Sequence, residues 1–288
     1  MLLKKTLTAA TVVLFTLGLT ACSTSADPSE SAAPSNTADA CAVENLQTLE
    51  AGVITIGTDS PAYEPWFKND DPTNGEGYES AVAYAIAAEL GFSADQVVWT
   101  VAPFNTVIAP GEKAFDFDIN QVSITEERKA AVDFSSGYYD VKQALVTIAG
   151  SPIEGATTLA ELKDAKLGAQ IGTTSYAVIE DLIQPTQEIG SFDSNDVAKA
   201  ALANGQIDGL IVDLPTAFYI TAVELEDGLI VGQFETTSDT EQFGLVLNKD
   251  SVLTTCVSAA VDNLKADGTL AAIEAQWLSQ VVSAPVIK

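Results

Sequence analysis

Histidine is absent from this sequence. Without an imidazole, no Ser-His-Asp or Cys-His machinery can be built and no histidine can ligate a metal. Cysteine is scarce as well. Its three residues, Cys22, Cys41 and Cys256, are too widely spaced for a zinc cluster. Hydrolase and metalloenzyme chemistry are therefore disfavoured, and no metal or cofactor is expected. Basic residues are few, 13 Lys and Arg against 40 Asp and Glu, for a formal net charge of −27. Such a chain cannot neutralise a run of phosphates, which argues against nucleic acid, and its charge opposes adhesion to anionic lipid head groups. Acidity of this degree speaks mainly for solubility.

With 47% apolar residues in 288, the chain can bury a sizeable core in one or two domains. Residues 1–21 read as a signal segment: Lys4 and Lys5 precede an apolar run from Leu7 to Leu19, too short to span a bilayer as a stable helix. The run ends in Leu19-Thr20-Ala21-Cys22, which resembles the lipobox of bacterial lipoproteins. That resemblance implies cleavage before Cys22 and lipid on the new terminus; a plain secretory signal is the alternative. Residues 22–40 hold no large apolar side chain beyond Cys22, so they are expected to form a flexible tether. The folded part would then hang from the outer face of a membrane.

From Cys41 onward, strand and helix signals alternate. Strands are expected at 53–57, 97–99, 115–120, 143–148, 166–170, 209–213, near 230 and at 243–247. Helices are expected at 78–90, from 104 to the Pro110-Gly111 stop, around 159–163, after Gly172, and at 195–204, 214–224, 252–266 and 269–279. This is an α/β pattern, with parallel sheets anticipated.

Ligands of open α/β sheets bind beyond the carboxyl ends of strands, and four such ends carry suggestive residues. Arg128, the only arginine, falls in the first turn of a helix capped by Thr125, where the helix dipole disfavours a cation. A planar, always-charged fork in that place suits a ligand carboxylate or phosphate. An ordinary ion pair with Glu126 or Glu127 is the competing explanation. Gly172-Thr173-Thr174 opens a helix and could hold an anion, or simply cap that helix. Asp59 and Asp213 end two other strands. Asp59 could instead form a turn before Pro61, and Asp213 could cap the helix that begins beside Pro215. Together they would oppose an anion site with buried acids, which suits a zwitterion such as an α-amino acid. Tyr63 and Phe104 flank the same ends and could sandwich a side chain, with Trp66 at core or rim.

Further motifs accompany these: Gly57-Thr58-Asp59, Ser123-Ile124-Thr125, Val132-Asp133-Phe134-Ser135 with Tyr138-Tyr139, and Lys265-Ala266-Asp267-Gly268-Thr269. With them, 53–278 resembles the amino-acid-binding solute-binding proteins of ABC importers, the type 2 periplasmic-binding-protein group. The resemblance implies two lobes joined by two hinge strands near 144–147 and 241–244. Lobe 1 would comprise 41–144 plus 243–288 and lobe 2 would comprise 145–242. By motif position Arg128 would clamp the α-carboxylate with Thr174 and the backbone near Ser123. Asp213 would take the ammonium, assisted near Gln121, and the side chain would point toward Asp59 and Glu64. Asn120-Gln121 stand where the family has small residues. Cys41 and Cys256 are expected to form a disulfide, since the second lies on a helix that should return to the first lobe and the compartment permits oxidation. The implied protein is a monomeric receptor that performs no chemistry and delivers a polar, basic or glutamine-like amino acid to permease subunits. A dehydratase on the same scaffold is the rival, with Glu64 as its acid.

Overall fold

A computed structural model describes residues 40–235, 241–279, 281 and 283–288. The signal segment and the Cys22 lipidation site lie outside the described residues. The folded part is a two-lobed α/β structure with one sheet in each lobe.

The first lobe is built on a five-stranded sheet in the order β2-β1-β3-β10-β4. Within it β1 (Ile54–Thr58) runs parallel to β2 (Val97–Val101) and β3 (Phe117–Asp118). β10 (Gln242–Leu247) runs antiparallel to β3 and to β4 (Asp133–Asp140). Ile54, Ile56, Phe117 and Ile119 are buried with Val82 and Ile86 of helix Tyr78–Glu89 and Val257 and Val261 of helix Thr254–Ala266. Each such side chain contributes roughly 1.5–3 kcal/mol by leaving water. The opposite face buries Phe104, Val107, Phe115, Val122 and Val246.

The second lobe carries a six-stranded sheet, β11-β9-β5-β8-β6-β7. Here β5 (Gln143–Ile148) runs antiparallel to both β8 (Gly209–Asp213) and β9 (Gly228–Phe234). β6 (Leu167–Gln170) lies parallel to β8 and to β7 (Gly190–Phe192). The expectation of purely parallel sheets is thus corrected: both are mixed. β5 follows β4 of the opposite lobe directly, with no crossover helix between them, and a strand entering that way is free to join antiparallel.

A second correction concerns the C-terminus, expected in the first lobe. After helix Thr269–Trp277, the strand β11 (Val286–Ile287) pairs with β9 in the second sheet. Ile287 is buried there, Leu159 N–H donates to the Lys288 carbonyl oxygen, and Lys288 N–H donates to Thr157 O. The apolar tail finds an open edge at β9, so the chain passes between the sheets a third time. β4 was not expected as a strand either. Its sequence, DFSSGYYD, is polar and interrupted by glycine, and only pairing with β10 makes it one.

The Cys41–Cys256 disulfide is present as expected, with Cα atoms 5.3 Å apart across a separation of 215 residues. Trp66 is core: wholly buried, it meets the rings of Tyr78, Tyr139 and Phe243 edge-on at 5.9, 5.5 and 5.6 Å. Gly77 makes that packing possible. At its φ of 94° a Cβ would fall 2.4 Å from the Trp66 carbonyl oxygen. The Trp66 indole N–H also reaches the second lobe, donating to Thr216 Oγ1 at 2.9 Å.

Candidate functional site

Between the lobes lies a small polar pocket where the ends of β1 and β3 face β5, β6 and the turn after β6. Of the residues expected there, Asp59, Tyr63, Phe104, Gln121, Ser123, Arg128, Thr173 and Thr174 line it. Its free volume is about 40 Å³, room for little more than a water molecule.

Arg128 sits at the junction. It is 8% exposed, and its guanidinium donates to Ser123 O at 2.7 Å within its own lobe and to Gly172 O at 2.8 Å across the cleft. Gly172 holds φ 79°, and a Cβ there would meet Asn105 Oδ1 at 3.0 Å, so the turn that aims this carbonyl is a glycine turn. The expected alternative, an ion pair with Glu126 or Glu127, is not what the side chain makes. Lys129 pairs with Glu126 instead, at 2.7 Å. Phe104 stacks beside the guanidinium, with Cζ 5.4 Å from the ring centroid. Burial lowers the Arg128 pKa to about 10, against the raising effect of the Glu241 carboxylate, so the charge persists at neutral pH.

Beside Arg128 is a hydroxyl cluster. Ser123 Oγ lies 3.2 Å from Thr174 Oγ1 and donates to Glu241 Oε1 at 2.6 Å. Gln143 Nε2 donates to Thr174 Oγ1 at 3.3 Å and to Glu241 Oε1 at 3.2 Å, while Ser175 Oγ donates to Gln143 Oε1 at 2.6 Å. Thr173 also lines the pocket, but its hydroxyl is committed. It caps the helix Thr174–Ala177 through Tyr176 N and donates to Gln170 O at 2.7 Å.

The floor is formed by Asp59, Asn120 and Gln121. Asp59 accepts from Ser60 N at 2.8 Å and more weakly from Phe104 N at 3.3 Å, and burial raises its pKa. Asn120 Nδ2 is buried without a hydrogen-bond partner among the described residues, as are both oxygens of Asp118 beneath it. Burial, with the charges of Glu79 and Asp59, pushes Asp118 well above the usual carboxylate range.

Two expected residues stand outside the pocket. Glu64 accepts from Asn69 N at 3.1 Å and lines a separate apolar cavity with Pro65, Pro215 and Tyr219. Asp213 caps the helix Leu214–Tyr219, accepting from Thr216 N at 3.0 Å, the structural role its neighbour Pro215 suggested. Burial raises its pKa to about 6.

The model of the bacterial extracellular solute-binding proteins, family 3, matches residues 54–280. The chain belongs to this family. This solute-binding protein is 27% identical to the probable histidine-binding protein of Campylobacter jejuni over 237 residues, 78% of this chain and 86% of that one. It is likewise 27% identical to the ABC transporter glutamine-binding protein GlnH of Bacillus subtilis over 282 residues, 96% of this chain and 98% of that one. Among solved structures it resembles an ancestral arginine-binding protein bound to arginine. There the TM-score is 0.65 and the identity 29%, over 78% of this chain and 98% of that one. Among the described residues, no helix is long and apolar enough to cross a membrane.

Sequence reasoning missed Gln143, Gln170, Ser175 and Phe243 as lining residues, and Glu241 as the carboxylate bonded to Ser123. Gln143, Phe243 and Glu241 belong to the crossing strands or their flanks. A polar residue at the mouth of each hinge strand was the available signal.

Proposed function

We propose that this solute-binding protein captures a free polar α-amino acid between its lobes and delivers it to the permease of an ABC importer, with no chemistry of its own. The observation that carries this is the pairing of one buried cation, Arg128, with the Ser123 and Thr174 hydroxyls on one side and an acid- and amide-lined floor on the other. Such a site complements a zwitterion. Arg128 would take the α-carboxylate through guanidinium donors beyond those given to Ser123 O and Gly172 O. Asp213 also caps its helix, and Glu241, bonded to Ser123 and Gln143, would supply a second acid for the ammonium group.

Arg128 is the only cation among the described lining residues, and the floor offers Asp59 and Gln121. An acidic ligand side chain would lack a counter-charge there, at a cost of several kcal/mol in a closed cleft. A guanidinium, ammonium or carboxamide is matched instead. Histidine, glutamine and arginine, named by three of the similar proteins, belong to that polar class, and cystine is named by another. The dehydratase alternative loses support because Glu64, its candidate acid, lines a different cavity. Lipid on Cys22 would keep the receptor, as a monomer, at the outer face of the membrane.

A thermal-shift screen with each of the twenty amino acids tests this, because a ligand that binds only the native state raises its apparent stability. Arginine, lysine, histidine or glutamine should give the largest rise. No shift with any amino acid, or the largest with glutamate or leucine, would sink the proposal.

A further inference from the structure

Gln121 forms part of the pocket floor, and its conformation is set by a residue outside the pocket. Glu79, in the first turn of helix Tyr78–Glu89, is wholly buried in the first lobe. Its carboxylate accepts the Gln121 main-chain N–H at 2.8 Å, the Gln121 side-chain Nε2 and the Tyr138 hydroxyl. Gln121 itself holds φ 49°, a left-handed conformation uncommon for a side-chain-bearing residue, and the two bonds to Glu79 hold it there.

An amide whose nitrogen gives one N–H to a carboxylate keeps its carbonyl oxygen, with its second N–H, for other partners. A proton on Glu79 reverses the match. One Glu79 oxygen then carries a donor, the amide oxygen becomes its partner, and the Gln121 NH2 is left for the pocket. We infer that Glu79 is a positioning residue whose protonation decides whether Gln121 presents its carbonyl oxygen or only N–H donors to the ligand. Ionised Glu79 selects side chains that donate: a guanidinium, an ammonium or a carboxamide NH2. This rests on the amino-acid-binding role proposed above.

The surroundings place that proton near neutrality. Tyr138 faces Glu79 from β4, Tyr78 precedes it on its own helix, Asp118 lies on β3 with Lys113 behind it, and Asp213 bears on it from the second lobe. Burial outweighs the three bonds to the carboxylate and brings Glu79 to about 7.

The test has a ligand-free arm and a binding arm. In the first, the side-chain amide resonances of Gln121 are followed by NMR from pH 5.5 to 8.5. They should titrate near neutrality in the native protein and stay flat in Glu79→Gln. In the second, the affinities of L-arginine and L-glutamate are measured at both ends of that range. The arginine-to-glutamate ratio should drop about tenfold or more toward low pH, the size of one charge-assisted hydrogen bond. In Glu79→Gln only the smaller slope owed to Asp59 and Asp213 should remain. Gln121→Ala, which leaves the Glu79 site buried, should show the same reduced slope and covers the case in which Glu79→Gln does not fold. A Gln121 amide that ignores pH, or equal slopes in the native protein and Gln121→Ala, overturns the inference. A protein that binds neither amino acid refutes the proposed function, while the amide titration still decides whether Glu79 governs Gln121.

Discussion

Arg128 Nη2 and the carbonyl oxygen of Gly172 lie 2.8 Å apart, and the bond between them joins the two lobes. The side chain suited to a ligand carboxylate therefore also latches the closed cleft. If Arg128 binds the ligand as proposed, binding and the contact between the lobes draw on the same guanidinium, so a substitution there should weaken both.

Arg128→Lys is the direct check. An ammonium cannot reach Ser123 O, Gly172 O and a carboxylate in one fixed plane. Affinity for the best amino acid of the screen should fall by roughly 3–5 kcal/mol, a few hundredfold or more by calorimetry. Near-native affinity would remove Arg128 from the site.

Thr216→Val tests the other bond across the cleft. The substitution keeps the shape of Thr216 and its main-chain bond to Asp213 but leaves the buried Trp66 indole N–H without an acceptor. An orphaned donor of this kind costs about 1–3 kcal/mol. Affinity should drop about tenfold with little change in the melting temperature of the free protein. An unchanged dissociation constant would show that the closed state does not depend on this bond.

The Cys41–Cys256 bridge closes a loop spanning 215 residues, and in the chain-entropy model such a crosslink stabilises by roughly 5 kcal/mol. Reduction, or Cys256→Ser, should lower the melting temperature by ten degrees or more. Thiol labelling of the unfolded, unreduced protein should find no reactive cysteine among these two. Stoichiometric labelling would contradict the bridge.

Stability should fall as pH rises, opposite to the usual behaviour of salt-bridged acids. Glu79 and Asp213 have folded-state pKa values of about 7 and about 6, above their ordinary 4.5 and 3.8. Between each pair of values the native state holds a proton that the unfolded state has released, so stability is highest below the lower value and is lost through the upper one. For Glu79, moving from 4.5 to about 7 corresponds to roughly 3 kcal/mol between pH 4.5 and pH 7. The net charge of −27 works in the same direction, so the diagnostic comparison is with Glu79→Gln. That variant should melt with a flatter profile from pH 5 to pH 8, and parallel profiles would rule the assignment out.

Much of the site was legible because it is local. Arg128 stood out by composition and by its place in a helix turn, and the Gly172-Thr173-Thr174 turn by its position between strand and helix. Asp213 and Glu64 carry further duties that local signals do not separate from ligand binding: Asp213 caps a helix and Glu64 lines another cavity. Gln143 and Glu241 could not be placed, because only the tertiary arrangement of β5 and β10 brings them to Ser123 and Thr174. The two-residue strand β11 carries no periodic pattern of its own, and it forms because β9 leaves an edge open.

The chain's third passage between the sheets gives the molecule a built-in gauge. Cys41 is fastened by its disulfide to a helix of the first lobe, while Lys288 is pinned to Thr157 and Leu159 of the second. The two ends of the folded chain therefore travel with different halves of the molecule. A donor and an acceptor dye attached beside them would report each opening and closing as a change in energy transfer, with no label near the cleft.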